Sequence, residues 1–255
     1  MKPVVVKVGG GALAGGALED LPGLLSAGHR VAIVHGGGLQ LTRMLDALGI
    51  PTRFHAGLRV TDEEALEVAE IVLAGGVNKT LARGLDALGV RAAGISGTDG
   101  PTLLVEPVPD LGRVGKVVRV EPHLIEALWA GGFVPVVAPL GLGSDGAYNV
   151  NADSAAAALA VGLGAGHLLL LTDVDGLLEE GETVEKIVPD RCEAYVDRGL
   201  AAGGMVPKLR AAAEAARGGV EARILNGNKK GTLEGAIAGE RVGTLISEGV
   251  AACKQ

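Results

Sequence analysis

Val4-Val5-Val6-Lys7-Val8-Gly9-Gly10-Gly11 and Val31-Ala32-Ile33-Val34-His35-Gly36-Gly37-Gly38 decide the fold class. Each is a short apolar run that stops in three glycines, and the same grammar continues along the chain. Apolar runs at 90–96, 132–138, 167–172 and 222–225 alternate with helix patterns at 39–48, 63–73, 78–88, 154–163 and 209–217. That alternation is the signature of βαβ units around a mainly parallel sheet covered by helices on both faces. Glycine at a strand-to-helix turn leaves backbone N–H groups bare at the carboxyl edge of the sheet, where phosphate oxygens can approach them. One such loop is ordinary turn chemistry; two together point to an anion site.

Working outward, residues 53–62 read as a β flap turning near Ala56-Gly57, with Asp62 the N-cap of the helix that follows. Residues 102–108 and 115–120 alternate as an antiparallel pair, a helix is expected over 190–198, and 231–246 reads as a short helix and an edge strand. The 255 residues suffice for a large α/β domain or two joined lobes. With 48% apolar but only 2% aromatic residues, the core must be built from Val, Leu, Ala and Ile, with glycine allowing close approach. A net charge of −7, with no basic cluster beyond Lys229-Lys230, gives no footprint for nucleic acid and favours a small-molecule substrate. Cys192 and Cys253 have neither zinc-site nor disulfide-framework spacing. No charged-then-apolar leader and no run of 18 or more apolar residues is present, so the expectation is a cytoplasmic protein, neither secreted nor membrane-bound.

Three polar features stand out. In Tyr148-Asn149-Val150-Asn151-Ala152-Asp153 the side chains of Asn149, Asn151 and Asp153 would share one face if the segment is extended, although helix capping is the ordinary use of such residues. Arg59 stands on a loop before a helix, where a guanidinium is either solvated or grips a carboxylate in a bidentate manner. Gly203-Gly204-Met205-Val206-Pro207-Lys208 opens a helix, and a lysine there opposes the macrodipole unless an anion is bound. Two decoys fall away. Gly115-Lys116 is followed by Val117, so it is no P-loop, and Gly141-Leu142-Gly143-Ser144-Asp145-Gly146 matches GxGxxG but is separated from the next helix, so it reads as a tight turn.

The set Lys7-Val8-Gly9-Gly10, His35-Gly36-Gly37-Gly38, Gly57-Leu58-Arg59-Val60-Thr61-Asp62, Asn78-Lys79, Ser96-Gly97-Thr98-Asp99-Gly100, Tyr148 to Asp153, Leu171-Thr172-Asp173-Val174-Asp175-Gly176 and Gly203 to Lys208 resembles the amino acid kinase family. Within it, the set resembles members acting on N-acetyl-L-glutamate. The pieces run in order over nearly the whole chain. The resemblance implies a three-layer α-β-α sandwich with an open, mainly parallel eight-stranded sheet. It implies an N-terminal acyl-amino-acid-binding and dimerisation lobe over 1–160 and a C-terminal ATP-binding lobe over 161–255. The activity implied is ATP- and Mg²⁺-dependent phosphorylation of the side-chain carboxylate to N-acetyl-L-glutamyl 5-phosphate, a step toward arginine and ornithine.

On this resemblance Lys7 and Lys208 flank the transferring phosphoryl group and Asp153 orients both. Gly9, Gly10, Gly11, Gly36, Gly37 and Gly38 supply backbone donors to phosphate, with Gly37 and Gly38 also beside the substrate. Arg59, Asn149 and Asn151 hold the acyl amino acid. Thr172, Asp173, Val174, Gly176, Gly204, Met205 and Lys208 face the nucleotide. No dedicated protein metal ligands are expected. The acceptor carboxylate is ionised at neutral pH, so a catalytic His or Ser is not required. Leu39 replaces a proline frequent in the family. The first strand begins within four residues of Met1, without the extra helix of arginine-sensitive hexamers, so an arginine-insensitive homodimer is expected. Rival readings are a kinase for carrier-linked aminoadipate, a nicotinamide dehydrogenase and a non-catalytic amino acid sensor.

Overall fold

A computed structural model describes residues 1–9, 15–55 and 57–248; Ala56 of the flap, Cys253 and the expected phosphate-binding Gly10 and Gly11 lie outside the described residues. The main sheet takes its strands in chain order as β1 (Val4–Val8), β2 (Val31–His35), β3 (Ala92–Ser96), β4 (Val134–Ala138), β5 (His167–Thr172), β6 (Lys186–Ile187), β7 (Glu221–Asn226) and β8 (Thr244–Ile246). Their spatial order is β6-β8-β7-β5-β1-β2-β4-β3. All neighbouring pairs are parallel except β7 with β8. Strands before residue 139 therefore lie on one side of β1, and strands after residue 166 on the other.

Successive side chains on a strand point to opposite faces, and the core divides accordingly. Val5, Ala32, Val34, Leu168, Leu170 and Ile224 pack with the buried alanines of helices Ala152–Gly162 and Met205–Arg217. Val4, Val6, Val8, Ile33, Leu169 and Leu171 pack on the other face with Leu21, Leu24, Leu81, Leu85 and Leu233. The result is a three-layer α-β-α sandwich. Alanine-lined helices lie close against the sheet, which is how a chain so poor in aromatics still fills its interior.

Several sequence expectations hold in detail. Arg53–His55 and Leu58–Val60 pair as an antiparallel flap, and Asp62 caps the next helix by accepting from Ala65 N at 2.9 Å. Leu103–Pro107 and Val114–Val120 pair antiparallel, and with Leu140–Gly143 and Gly146–Val150 they close a four-stranded barrel. The GxGxxG stretch is indeed a turn, the hairpin between Leu140–Gly143 and Gly146–Val150. The helix begun at Glu63 runs on through a π-helical segment, Glu70–Val77, into Asn78–Ala87.

Other expectations need correcting. Asn149, Asn151 and Asp153 do not share an extended wall, because the strand ends at Val150 and the helix begins at Ala152. Asn151 is the cap, its Oδ1 accepting from Asp153 N at 3.0 Å and Ser154 N at 3.1 Å, which frees Asp153 from that duty. The strand Thr244–Ile246 is not at the edge; the two-residue β6 flanks it, a pairing too short to be read from sequence. Helix Met205–Arg217 starts four residues earlier than the pattern suggests, so Pro207 and Lys208 both sit in its first turn region.

Among the described residues, no helix is long and apolar enough to cross a membrane. The far end of the chain is tied back to the beginning through Asp20, a buried carboxylate accepting from Gly231 N at 2.7 Å and Leu233 N at 2.9 Å. Asp20→Ala leaves both donors without a partner and is expected to cost about 2–4 kcal/mol, read as a lowered urea midpoint. A variant within about 0.5 kcal/mol of wild type would show that this tie contributes little.

Candidate active site

Lys7 owes its position to strand register. It lies opposite Val34 and Leu170 and shares with them and Val5 the face covered by helices Ala152–Gly162 and Met205–Arg217. Both helices precede strands that run parallel to β1, so both begin at the carboxyl edge of the sheet. Asp153 in the first turn of one and Lys208 near the start of the other are thus brought over Lys7. Asp153 Oδ1 lies 2.9 Å from Lys7 Nζ, as an ion pair rather than an aligned hydrogen bond, and Asp153 Oδ2 lies 3.5 Å from Lys208 Nζ. Lys7 and Asp153 are 4% and 5% exposed, so the pair is shielded from screening by water. Burial lowers the Lys7 proton affinity; Asp153 opposes that shift and the Lys208 charge adds to it.

On one side of this bridge is a cavity of about 250 Å³, lined by Lys7, Gly36, Gly37, Gly38, Arg59, Asn149, Asn151 and Asp153, with Leu41, Phe54, Leu58 and Leu73 as apolar walls. A Cβ at Gly37 would come within 2.6 Å of Leu73, whereas Gly38 has open space beside it and leads into helix Gly38–Leu48. Arg59 as a whole is 9% exposed, and its guanidinium is held before any ligand arrives. It donates to Thr52 Oγ1 at 3.0 Å, Thr42 Oγ1 at 2.7 Å and Gly38 O at 3.2 Å, and stacks 4.8 Å over the Phe54 ring.

On the other side is a larger cavity of about 480 Å³, lined by Gly9, Thr172, Asp173, Val174, Gly204, Met205 and Lys208, together with Leu171, Ala202 and Asn228. Gly176 is elsewhere. A Cβ there would meet Thr244 Oγ1 at 2.6 Å, so this glycine answers to packing against β8.

Beneath the Gly36–Gly38 turn is a group that sequence reading left unused. His35 is fully buried; Nδ1 lies 2.6 Å from Gly36 O, which can only accept, so Nδ1 carries the proton and Nε2 accepts from Asn78 Nδ2 at 3.1 Å. The two Nδ2 protons of Asn78 are shared among His35 Nε2, Val136 O at 2.8 Å and Ile95 O at 3.1 Å, joining three adjacent strands. Burial pushes the His35 imidazole down to about 4.

Residues 2–226 match the model of the amino acid kinase family. The chain belongs to that family. It is 72% identical to the acetylglutamate kinase of Rubrobacter xylanophilus over 248 residues, 97% of this chain and 98% of that protein. A crystal structure of smu.665 from Streptococcus mutans superposes with a TM-score of 0.84 at 30% identity, covering 96% of this chain and 98% of that one. An N-acetylglutamate synthase from Neisseria gonorrhoeae, solved with coenzyme A and N-acetyl-glutamate, superposes with a TM-score of 0.81 at 30% identity, covering 97% of this chain and 59% of that one.

The residues expected at the site in this family member, Gly176 and the undescribed Gly10 and Gly11 apart, therefore surround two adjoining cavities. Sequence reading missed Thr42 and Thr52, which hold Arg59, and Asn228, which lines the larger cavity. Single polar residues on helices and loops carry no pattern that would reveal them.

The His35 shift has a pH consequence. Its folded value of about 4 lies below the ordinary 6.5, so between those pH values the unfolded chain binds a proton that the folded chain refuses. This contribution to stability is fully present above about pH 6.5 and is lost as pH falls toward 4, to a total of about 3 kcal/mol. His35→Gln is expected to lose about that much less on acidification than wild type, measured by urea denaturation across the range. Equal acid sensitivity in both proteins would contradict it.

Proposed function

We propose that the chain transfers the γ-phosphoryl group of ATP to the side-chain carboxylate of N-acetyl-L-glutamate, giving N-acetyl-L-glutamyl 5-phosphate and ADP, a step of arginine biosynthesis. The observation that carries this reading is the placement of two lysines on one buried carboxylate between two cavities. The smaller cavity suits an acyl amino acid and the larger a nucleotide. Its lining residues support a division near residue 160: the smaller cavity draws only on residues up to 153, the larger on 171 and beyond except for Gly9.

In this mechanism the guanidinium of Arg59, already immobilised, grips the α-carboxylate, and Asn149 and Asn151 contact the acetamido and carboxylate groups. The side-chain carboxylate then reaches the junction at Lys7. It is ionised at neutral pH, so its oxygen attacks phosphorus directly and the bond to the ADP oxygen breaks in line, with no proton to remove. Lys7 and Lys208 offset the charge spread over the transferring phosphoryl oxygens, and Asp153 keeps both ammonium groups aimed. N–H groups at Gly9, Gly37 and Gly38 add neutral donors; the expected donor at Gly36 is not free for this, because its N–H already donates to Val8 O at 2.9 Å. Mg²⁺ would be held chiefly by ATP phosphates and water, where it would offset phosphate charge. A homodimer belongs to the same reading; Met44 and Ile71 are exposed apolar side chains beside one surface hollow, which supports a covered face there.

The reading is tested by coupled ADP release with N-acetyl-L-glutamate, glutamate, aspartate, aminoadipate and UMP as acceptors. N-Acetyl-L-glutamate is expected to be the preferred acceptor. Lys7→Ala and Lys208→Ala are each expected to lower kcat by at least about 100-fold through lost charge stabilisation. Changes confined to KM would refute the role given to the lysines.

A further inference from the structure

We propose that Thr61 is a positioning residue that sets the direction of the Asn149 carboxamide, and with it the preference of the acceptor site for an amide over an ester at the α position. The proposal rests on the acceptor chemistry given above. Thr61 follows the flap strand Leu58–Val60 and is fully buried. Each of its polar groups is engaged. The backbone N donates to Leu111 O at 3.1 Å and the backbone O accepts from Arg113 N at 2.6 Å. The hydroxyl donates to Arg59 O at 3.1 Å and accepts from Asn149 Nδ2 at 3.1 Å.

A hydroxyl has one proton to give, and a carbonyl has none. The Thr61 proton therefore goes to Arg59 O, and only a lone pair faces Asn149. A flipped Asn149 would either set Oδ1 against Thr61 Oγ1 with no hydrogen between them or draw the hydroxyl proton to itself and leave Arg59 O without that donor. Nδ2 is thus held toward Thr61, and Oδ1 is left on the other side of the carboxamide in a residue that lines the acyl cavity. The backbone holds Asn149 beside Thr61: Asn149 N donates to Arg113 O at 2.9 Å. Arg113 itself is anchored by Glu63 at 2.7 Å and Asp145 at 2.8 Å. Gly112, at φ +69°, lets this loop close on Thr61, since a Cβ there would lie 2.3 Å from Thr61 O.

A fixed acceptor in the cavity requires a donor on the ligand. An N-acylated amino acid offers one, the amide N–H beside the α-carboxylate. The corresponding ester places an oxygen there and leaves Oδ1 unpaired, which a polar site rejects strongly.

The experiment compares N-acetyl-L-glutamate with O-acetyl-2-hydroxyglutarate as acceptors for wild type, Thr61→Val and Thr61→Ser. Wild type is expected to favour the amide by at least about tenfold in kcat/KM. Thr61→Val is expected to raise KM for N-acetyl-L-glutamate, leave KM for ATP unchanged and bring the amide preference close to unity; Thr61→Ser is expected to restore both. A Thr61→Val enzyme that keeps the wild-type preference overturns the proposal alone. So does a wild type indifferent to the exchange, a result independent of how well any variant folds. A wild type inactive toward N-acetyl-L-glutamate overturns the functional reading and this proposal together.

Discussion

The ion pair between Lys7 and Asp153, with Lys208 on the second carboxylate oxygen, is the contact on which the rest of the site depends. One buried carboxylate between two ammonium groups leaves a local excess of positive charge. Taking such charges out of water is costly, and breaking a buried pair by removing one member is costlier still. In the proposed reaction a polyanion arriving at the junction would supply the missing negative charge, so the residues that burden the ligand-free fold would favour the charged transition state. Burial lowers the proton affinity of Lys7, Asp153 works against that shift, and the Lys208 charge adds to it to a smaller degree.

The architecture explains why those three residues meet. Strand order reverses at β1, with β2 on one side and β5 on the other. In open α/β sheets the crevice at such a reversal, outside the carboxyl ends of the strands, is where ligands bind. Here β1 carries Lys7 and ends at Val8 before Gly9, β2 leads into the Gly36–Gly38 turn and β5 ends at Thr172. The two helices over the Lys7 face begin at that edge and carry Asp153 and Lys208. The first half of the chain builds one wall of the crevice and the second half the other.

Most of this was legible in the sequence because its signals are periodic or steric. Apolar runs ending in glycine gave the strands, and the Gly-Gly-Met-Val-Pro-Lys stretch marked the opening of the helix that brings Lys208 to Asp153. The Asn-rich stretch misled because alternate spacing implies a shared face only if the strand continues. Asn151 ends it by capping the helix, and that one turn separates Asn149 from Asp153. The two-residue β6 and the Thr61 hub were illegible for a related reason: each exists only through contacts with distant segments. Thr61 bonds to Leu111, Arg113 and Asn149, none of which its own neighbourhood announces.

The central claim is that Asp153 and the lysines act as one unit. A double-mutant cycle on kcat for Asp153→Asn and Lys208→Met, with folding of each variant verified by denaturation, tests it most directly. If Asp153 works by aiming the lysines, each single change is severe and the double variant is hardly slower than the worse single one, as for groups acting as a unit. Additive losses, or near-normal turnover in Asp153→Asn, would contradict the account.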